Sequence, residues 1–246
     1  MITRNLKALL KEENKTLKLD FSLLLCKRLK LLFDAEYIES LDDDFKRNIF
    51  KISDKIAYEM SPCSIILVGS VASGKHNKES DIDFLVISEK KDAPYFENYN
   101  LVSLTKGEFK DKYLKGDDFV ISALLFGKVL LDDSFFINFF ESPLPIFSKE
   151  VIQEKIKFCE NLEERVYALL KINDERANEE LLYLALQSAR IILLKNRIVP
   201  RTKSEIASQV RPFNKRLSEV IQKVQKSKIG KNDALSYINV CMDNVR

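Results

Sequence analysis

The sequence predicts an α+β protein: a small mixed β-sheet with flanking helices, followed by an all-helical C-terminal bundle. Three observations carry this expectation. Two short apolar runs rich in branched residues, Ile65, Ile66, Leu67, Val68 and Phe84, Leu85, Val86, Ile87, stop and start at turn and acidic residues, as buried strands do. Phe45, Ile49, Ile52 and Ile56 recur at helical spacing just before the first run. Beyond Pro143-Leu144-Pro145 the helical period continues to the end with no further strand signal. Three parts are expected: an N-terminal helical extension over 1–42, the sheet-bearing domain over 43–142, and a helical bundle over 146–246.

Composition bounds what such a chain does. At 246 residues it buries a sizeable core, and 46% hydrophobic with 31% charged residues is ordinary for a globular protein. A net charge of +3 is too small to argue for nucleic acid. Cys26, Cys63, Cys159 and Cys241 are scattered, and His76 is the only histidine, which excludes the usual zinc spacings and predicts reduced thiols. The charged start lacks the apolar core of a signal peptide, and no apolar run approaches the roughly 18 residues of a membrane span. A cytoplasmic protein with no membrane association is expected.

In order along the chain, residues 2–41 read as helices, with Phe21, Leu25, Leu29 and Leu32 forming an apolar stripe between Lys27, Arg28 and Lys30. A docking helix pair and a small DNA-binding unit both fit that pattern. Asp42, Asp43 and Asp44 place acids at the start of a helix over 43–60, where its dipole favours them. After the two central strands, the turn around Pro94 leads to a third strand over 99–105. A helix follows from Lys106, then a short helix over 117–126, a fourth strand over 129–131, and an apolar stretch over 135–140.

The C-terminal part reads as four helical stretches, 151–172, 175–197, 203–228 and 233–245, the third broken at Pro212. Leu182, Ala185, Ala189 and Ile192 make a stripe suited to close packing. Thr202 and Glu205 have the spacing of a capping box, and Gly230 marks a helix stop. Short connections favour an antiparallel bundle, with helix-mediated homo-oligomers open.

The chemistry is concentrated between the two central strands. Alternation puts Asp81 and Asp83 on one face, and two carboxylates so close repel unless a cation shares the site. Hard oxygens at that spacing suit Mg²⁺, which takes one or two carboxylates together with substrate phosphates. Gly69, lacking a Cβ, allows a phosphate to approach the backbone, and the Ser70 hydroxyl can donate to it.

Here the chain resembles the DNA polymerase beta-type nucleotidyltransferase superfamily: a strand ending in Val68-Gly69-Ser70, a short variable segment, then Asp81-Ile82-Asp83-Phe84. The resemblance implies that Asp81 and Asp83 are catalytic and hold Mg²⁺, as one or two ions, and that Gly69 and Ser70 contact the phosphates of a nucleoside triphosphate. It implies transfer of a nucleoside monophosphate to an acceptor hydroxyl, with pyrophosphate leaving. The third carboxylate of the superfamily belongs on the next strand, where Asn100 stands; Glu97, Asp118 or Asp132 are the acids that could replace it. Lacking that acid, the alternative is a catalytically silent nucleotide-binding or regulatory protein of the same fold.

Two competing readings are weaker. Residues 69–76, GSVASGKH, nearly match a phosphate-binding loop, but His76 stands where Ser or Thr is needed and the next strand leaves no room for the helix. Lys75 is then either a triphosphate contact or a solvated loop lysine. Ribonuclease chemistry through a helical arginine and histidine fails, because no histidine follows His76. The basic residues Arg211, Lys215, Arg216, Lys223, Lys226, Lys228 and Lys231 fit a nucleic-acid acceptor or a solvated face, the latter favoured by the interleaved Glu219.

Overall fold

The computed structural model describes residues 10–13, 16–19, 24–90, 94, 99–243 and 245. Strand β3 (Ser64–Val68) is buried along its whole length because it is central in a four-stranded mixed sheet of order β5-β4-β3-β6. Its neighbours β4 (Ile82–Ile87) and β6 (Lys128–Asp132) run antiparallel to it, and β5 (Tyr99–Leu104) lies parallel to β4. Antiparallel pairing of β3 with β4 sets Ile65 opposite Val86 and Leu67 opposite Phe84. Those side chains, with Ile82, form one apolar face against Ile49, Ile52, Ile56 and Met60 of helix α2 (Asp43–Met60). The helical spacing of those isoleucines thus matches a sheet face of period two.

Helix α1 (Leu24–Glu39) precedes α2, and two short strands, β1 (Leu10–Glu13) and β2 (Thr16–Leu19), pair antiparallel before it. This corrects the expectation that residues 2–41 read as helices, since 10–13 and 16–19 are strands: at four residues each, LKEE and TLKL are too short for a strand period to stand out. The expected stripe is corrected too. Helix α1 turns Cys26, Asp34 and Ile38 inward, leaving Leu25 and Leu32 53% and 61% exposed; Phe21 lies outside the described residues. The inward polar group is accounted for, since buried Asp34 accepts from the Val129 amide of β6 at 2.9 Å and pairs with Lys30.

Between β3 and β4 lies α3 (Gly69–Ala72), and after β5 come α4 (Lys106–Lys115) and α5 (Asp118–Phe126). Asp117 caps α5 by accepting from the amides of Phe119 and Val120. The apolar stretch after β6 is a 3-10 turn, Ile137–Glu141, with Phe109, Phe135, Phe136 and Phe139 in edge-to-face contact.

The described residues divide into two compact units. One contains those up to Asp111 together with Ala123–Leu144; the other contains Lys112–Ser122 and those from Pro145 onward. The second unit is helical: α6 (Lys149–Lys171), α7 (Ala177–Lys195), α8 (Ile206–Val210), α9 (Lys215–Lys226) and α10 (Lys231–Met242). Helix α7 is its centre and packs against each of the other four. It brings fully buried Ala185 and Ala189 into a core with Leu162, Leu184, Ile221 and Ile238, small residues allowing close approach. Pro212 falls in the break between α8 and α9, as expected.

Two cap expectations are corrected. Helix α8 starts only at Ile206, so the Thr202 hydroxyl donates to the Glu205 carboxylate at 2.8 Å instead of accepting from its amide. Gly230 precedes α10 as its N-cap, while α9 ends at Ser227. Among the described residues no helix is long and apolar enough to cross a membrane.

Candidate active site

The end of β3 and the start of β4 meet because the two strands are antiparallel: Val68 lies opposite Asp83. The chain leaves β3 through Gly69 at φ +74°, a left-handed conformation that glycine adopts without steric cost. A Cβ at this position would overlap Asp83 Oδ2 and stand 2.9 Å from its Cγ. The absent side chain therefore makes room for the Asp83 carboxylate, a closer constraint than the phosphate approach expected from the sequence. Ser70 follows, half-buried, with its carbonyl accepting from the Lys75 amide at 2.9 Å and the Ser73 hydroxyl at 3.0 Å. The tight loop so closed is also held by the Tyr37 hydroxyl, which donates to the Val71 carbonyl.

On the other side of β4, the parallel register sets Asn100 of β5 opposite Asp83. Its amide nitrogen donates to Asp83 Oδ1 at 2.9 Å and reaches Asp81 Oδ2 at 3.5 Å. Both acids thus converge on one amide, with Asp81 exposed and Asp83 half-buried. Burial raises the Asp83 carboxyl above its ordinary value, the Asn100 hydrogen bond opposes this, and the neighbouring Asp81 charge adds to the rise. A bound cation would relieve both the desolvation and the repulsion.

The three acids considered as a third carboxylate do not join this pair among the described residues. Asp132 pairs with Ser64 at the far end of β3, accepting from its hydroxyl and from the amides of Phe136 and Ile137. Asp118, 2% exposed, is committed to Lys155 at 2.7 Å and Arg190 at 3.0 Å within the helical unit. Glu97 lies outside the described residues. No cluster of three His, Cys, Asp or Glu side chains occurs among those described.

The phosphate-loop alternative also fails on geometry. After Lys75 the chain forms no helix before β4, which returns antiparallel to β3, whereas such a loop needs a helix. Lys75 is exposed, and the His76 ring rests edge-on against Phe45 with centroids 4.7 Å apart.

A family model for the nucleotidyltransferase domain matches residues 46–200, more than half of the chain. The chain belongs to this family, the nucleotidyltransferases of the DNA polymerase beta type. Its matched span contains the sheet, the Gly69-Ser70 bend and the acidic pair, and nucleotidyl transfer is the general activity that the domain supports. A nucleotidyltransferase-like protein from Exiguobacterium sibiricum 255-15 is similar in structure, with a TM-score of 0.43 at 12% identity, over 81% of this chain and 72% of that one. No curated protein matches the chain. Nucleotidyltransferase domains typically use a divalent metal, and the hard-oxygen donors here that would suit one are the two carboxylates that converge beside the Gly69 bend.

What sequence reasoning missed are the groups that hold the site together. Tyr37 is 34 residues away from the carbonyl it binds, and no local pattern reports that contact. Asn100 stood out in the sequence as a missing charge, whereas the structure gives it a bond to each acid.

Proposed function

We propose that this nucleotidyltransferase domain binds a nucleoside triphosphate as its Mg²⁺ complex and passes the nucleoside monophosphate to an acceptor hydroxyl. Asp81 and Asp83 would hold the metal, and Gly69 and Ser70 would contact the phosphates. The observation that carries this reading is the Asp83 carboxylate seated where a Gly69 side chain would be, which brings the residues proposed for metal and for phosphate side by side. In the reaction the acceptor oxygen bonds to the α-phosphorus as the bond to the bridging oxygen of pyrophosphate breaks, and the hydroxyl proton passes to solvent. A bound divalent metal supplies positive charge against the triphosphate and the departing pyrophosphate. Gly69 and Ser70 open α3, so their backbone amides have no acceptor within that helix.

The acceptor is a hydroxyl compound, small molecule, protein or RNA end. A nucleic acid is the least favoured, since within the exposed basic tract Lys215 and Lys228 already face Glu219 and Glu175.

One observation favours a second reading. Asn100 cannot accept the acceptor's proton, which points to a silent nucleotide-binding protein. Incubation with labelled ATP, Mg²⁺ and a panel of hydroxyl acceptors separates the two. Pyrophosphate release that Asp81→Ala abolishes supports the transferase; saturable nucleotide binding with no release supports the silent protein; absence of both overturns the site.

A further inference from the structure

Asn100 does more than leave a charge out. Its amide nitrogen lies 2.9 Å from Asp83 Oδ1 and 3.5 Å from Asp81 Oδ2, so one donor group covers one oxygen of each acid. The oxygen of Asp83 left uncovered is Oδ2, the one beside Gly69. The acidic pair therefore has two unlike sides. Towards the bend it offers carboxylate oxygen; towards β5 it meets N–H donors, which repel a cation.

We propose that the site is built for a single divalent cation, taken together with the nucleotide, and that Asn100 is the positioning residue that sets this count. The argument is one of charge and coordination. Two hard divalent ions side by side need several anionic protein oxygens between and around them, whereas a nucleotide-bound Mg²⁺ is content with one or two carboxylates and the phosphates. Here the pair supplies two carboxylates, the amide adds no charge, and among the described residues no third acid approaches. In place of a second cation, the amide nitrogen donates to Asp83 Oδ1 and reaches Asp81 Oδ2 on that side.

This inference rests on the nucleotide-binding reading above, and the test keeps the two apart. Mn²⁺ binding is counted by electron paramagnetic resonance on the full chain, with and without α,β-methylene-ATP. The expected result is one Mn²⁺ per chain, dependent on the analogue, rising to two in Asn100→Asp, where a third carboxylate replaces the amide. Two ions in the wild type, or one in a folded Asn100→Asp variant, would overturn the single-ion proposal while leaving the nucleotide site standing. No Mn²⁺ with the analogue present would overturn the nucleotide reading itself. Should Asn100→Asp fail to fold, Asn100→Ala serves: a count unchanged at one together with weaker Asp83-dependent binding supports a positioning role, and unaltered affinity contradicts it.

Discussion

Gly69 and Asp83 show how a single residue's backbone freedom sets a carboxylate's place. A side chain at position 69 pays for the left-handed conformation, about 1–2 kcal/mol, and displaces the Asp83 carboxylate as well. Gly69→Ala is expected to fold with stability lowered by about that amount in urea melts and to lose most metal–nucleotide binding; wild-type affinity in this variant would show that the bend does not position the acid. Asp83 itself titrates above its ordinary value when folded, chiefly through burial, so ionising it opposes folding. The contribution is present below the unfolded value and lost as pH rises through the folded one. With metal chelated, Asp83→Asn should therefore melt higher than the wild type at neutral pH, the difference closing on acidification into the carboxylate range.

At the scale of elements, α1 and α5 show that periodicity names a helix without naming its inner face. Leu25 and Leu32 of the α1 stripe are exposed, so Leu32→Ser is expected to change stability by no more than about 0.5 kcal/mol, whereas Ile38→Ala, cutting into the sheet core, should cost about 2–4 kcal/mol. Asp118 at the start of α5 holds α6 and α7 through Lys155 and Arg190. Burial pushes its carboxyl up, but the two cations outweigh this and leave it below its ordinary value. Stability from the triad is therefore complete above the unfolded carboxylate value and lost as pH falls through the folded one. Asp118→Asn should lose about 3–5 kcal/mol at pH 7 by stranding two cations, and its denaturation midpoint should fall less than that of the wild type below about pH 4. Equal acid sensitivity in both would remove Asp118 from that account.

For the whole molecule, two hydrophobic cores with no shared residue serve two units. The residues proposed for the nucleotide site, Gly69, Ser70, Asp81 and Asp83, all lie in the unit that carries the sheet. Ligand at 100 times its dissociation constant adds about 2.7 kcal/mol to any opening that destroys the site. Hydrogen exchange of the full chain with saturating metal–nucleotide should slow in β3, α3 and β4 and leave the amides of α7 unchanged where they exchange by opening of their own unit. Equal slowing in both would mean that the units open together.

The sequence by itself determined the central strands, the helix before them and the helical second half, because buried strands and amphipathic helices carry their periods locally in residues such as Ile65 to Val68 and Ile49 to Ile56. It also located the Gly69-Ser70 bend, the Asp81 and Asp83 pair, and the gap at Asn100. The antiparallel pairing of β1 with β2 escaped because four residues per strand are too few to reveal a period. Tertiary structure alone decided which face of α1 turns inward, that Gly69 yields its space to Asp83, and that Asn100 spans both acids. Each of these depends on what a distant segment places opposite a residue, and a chain's own period cannot encode its partner.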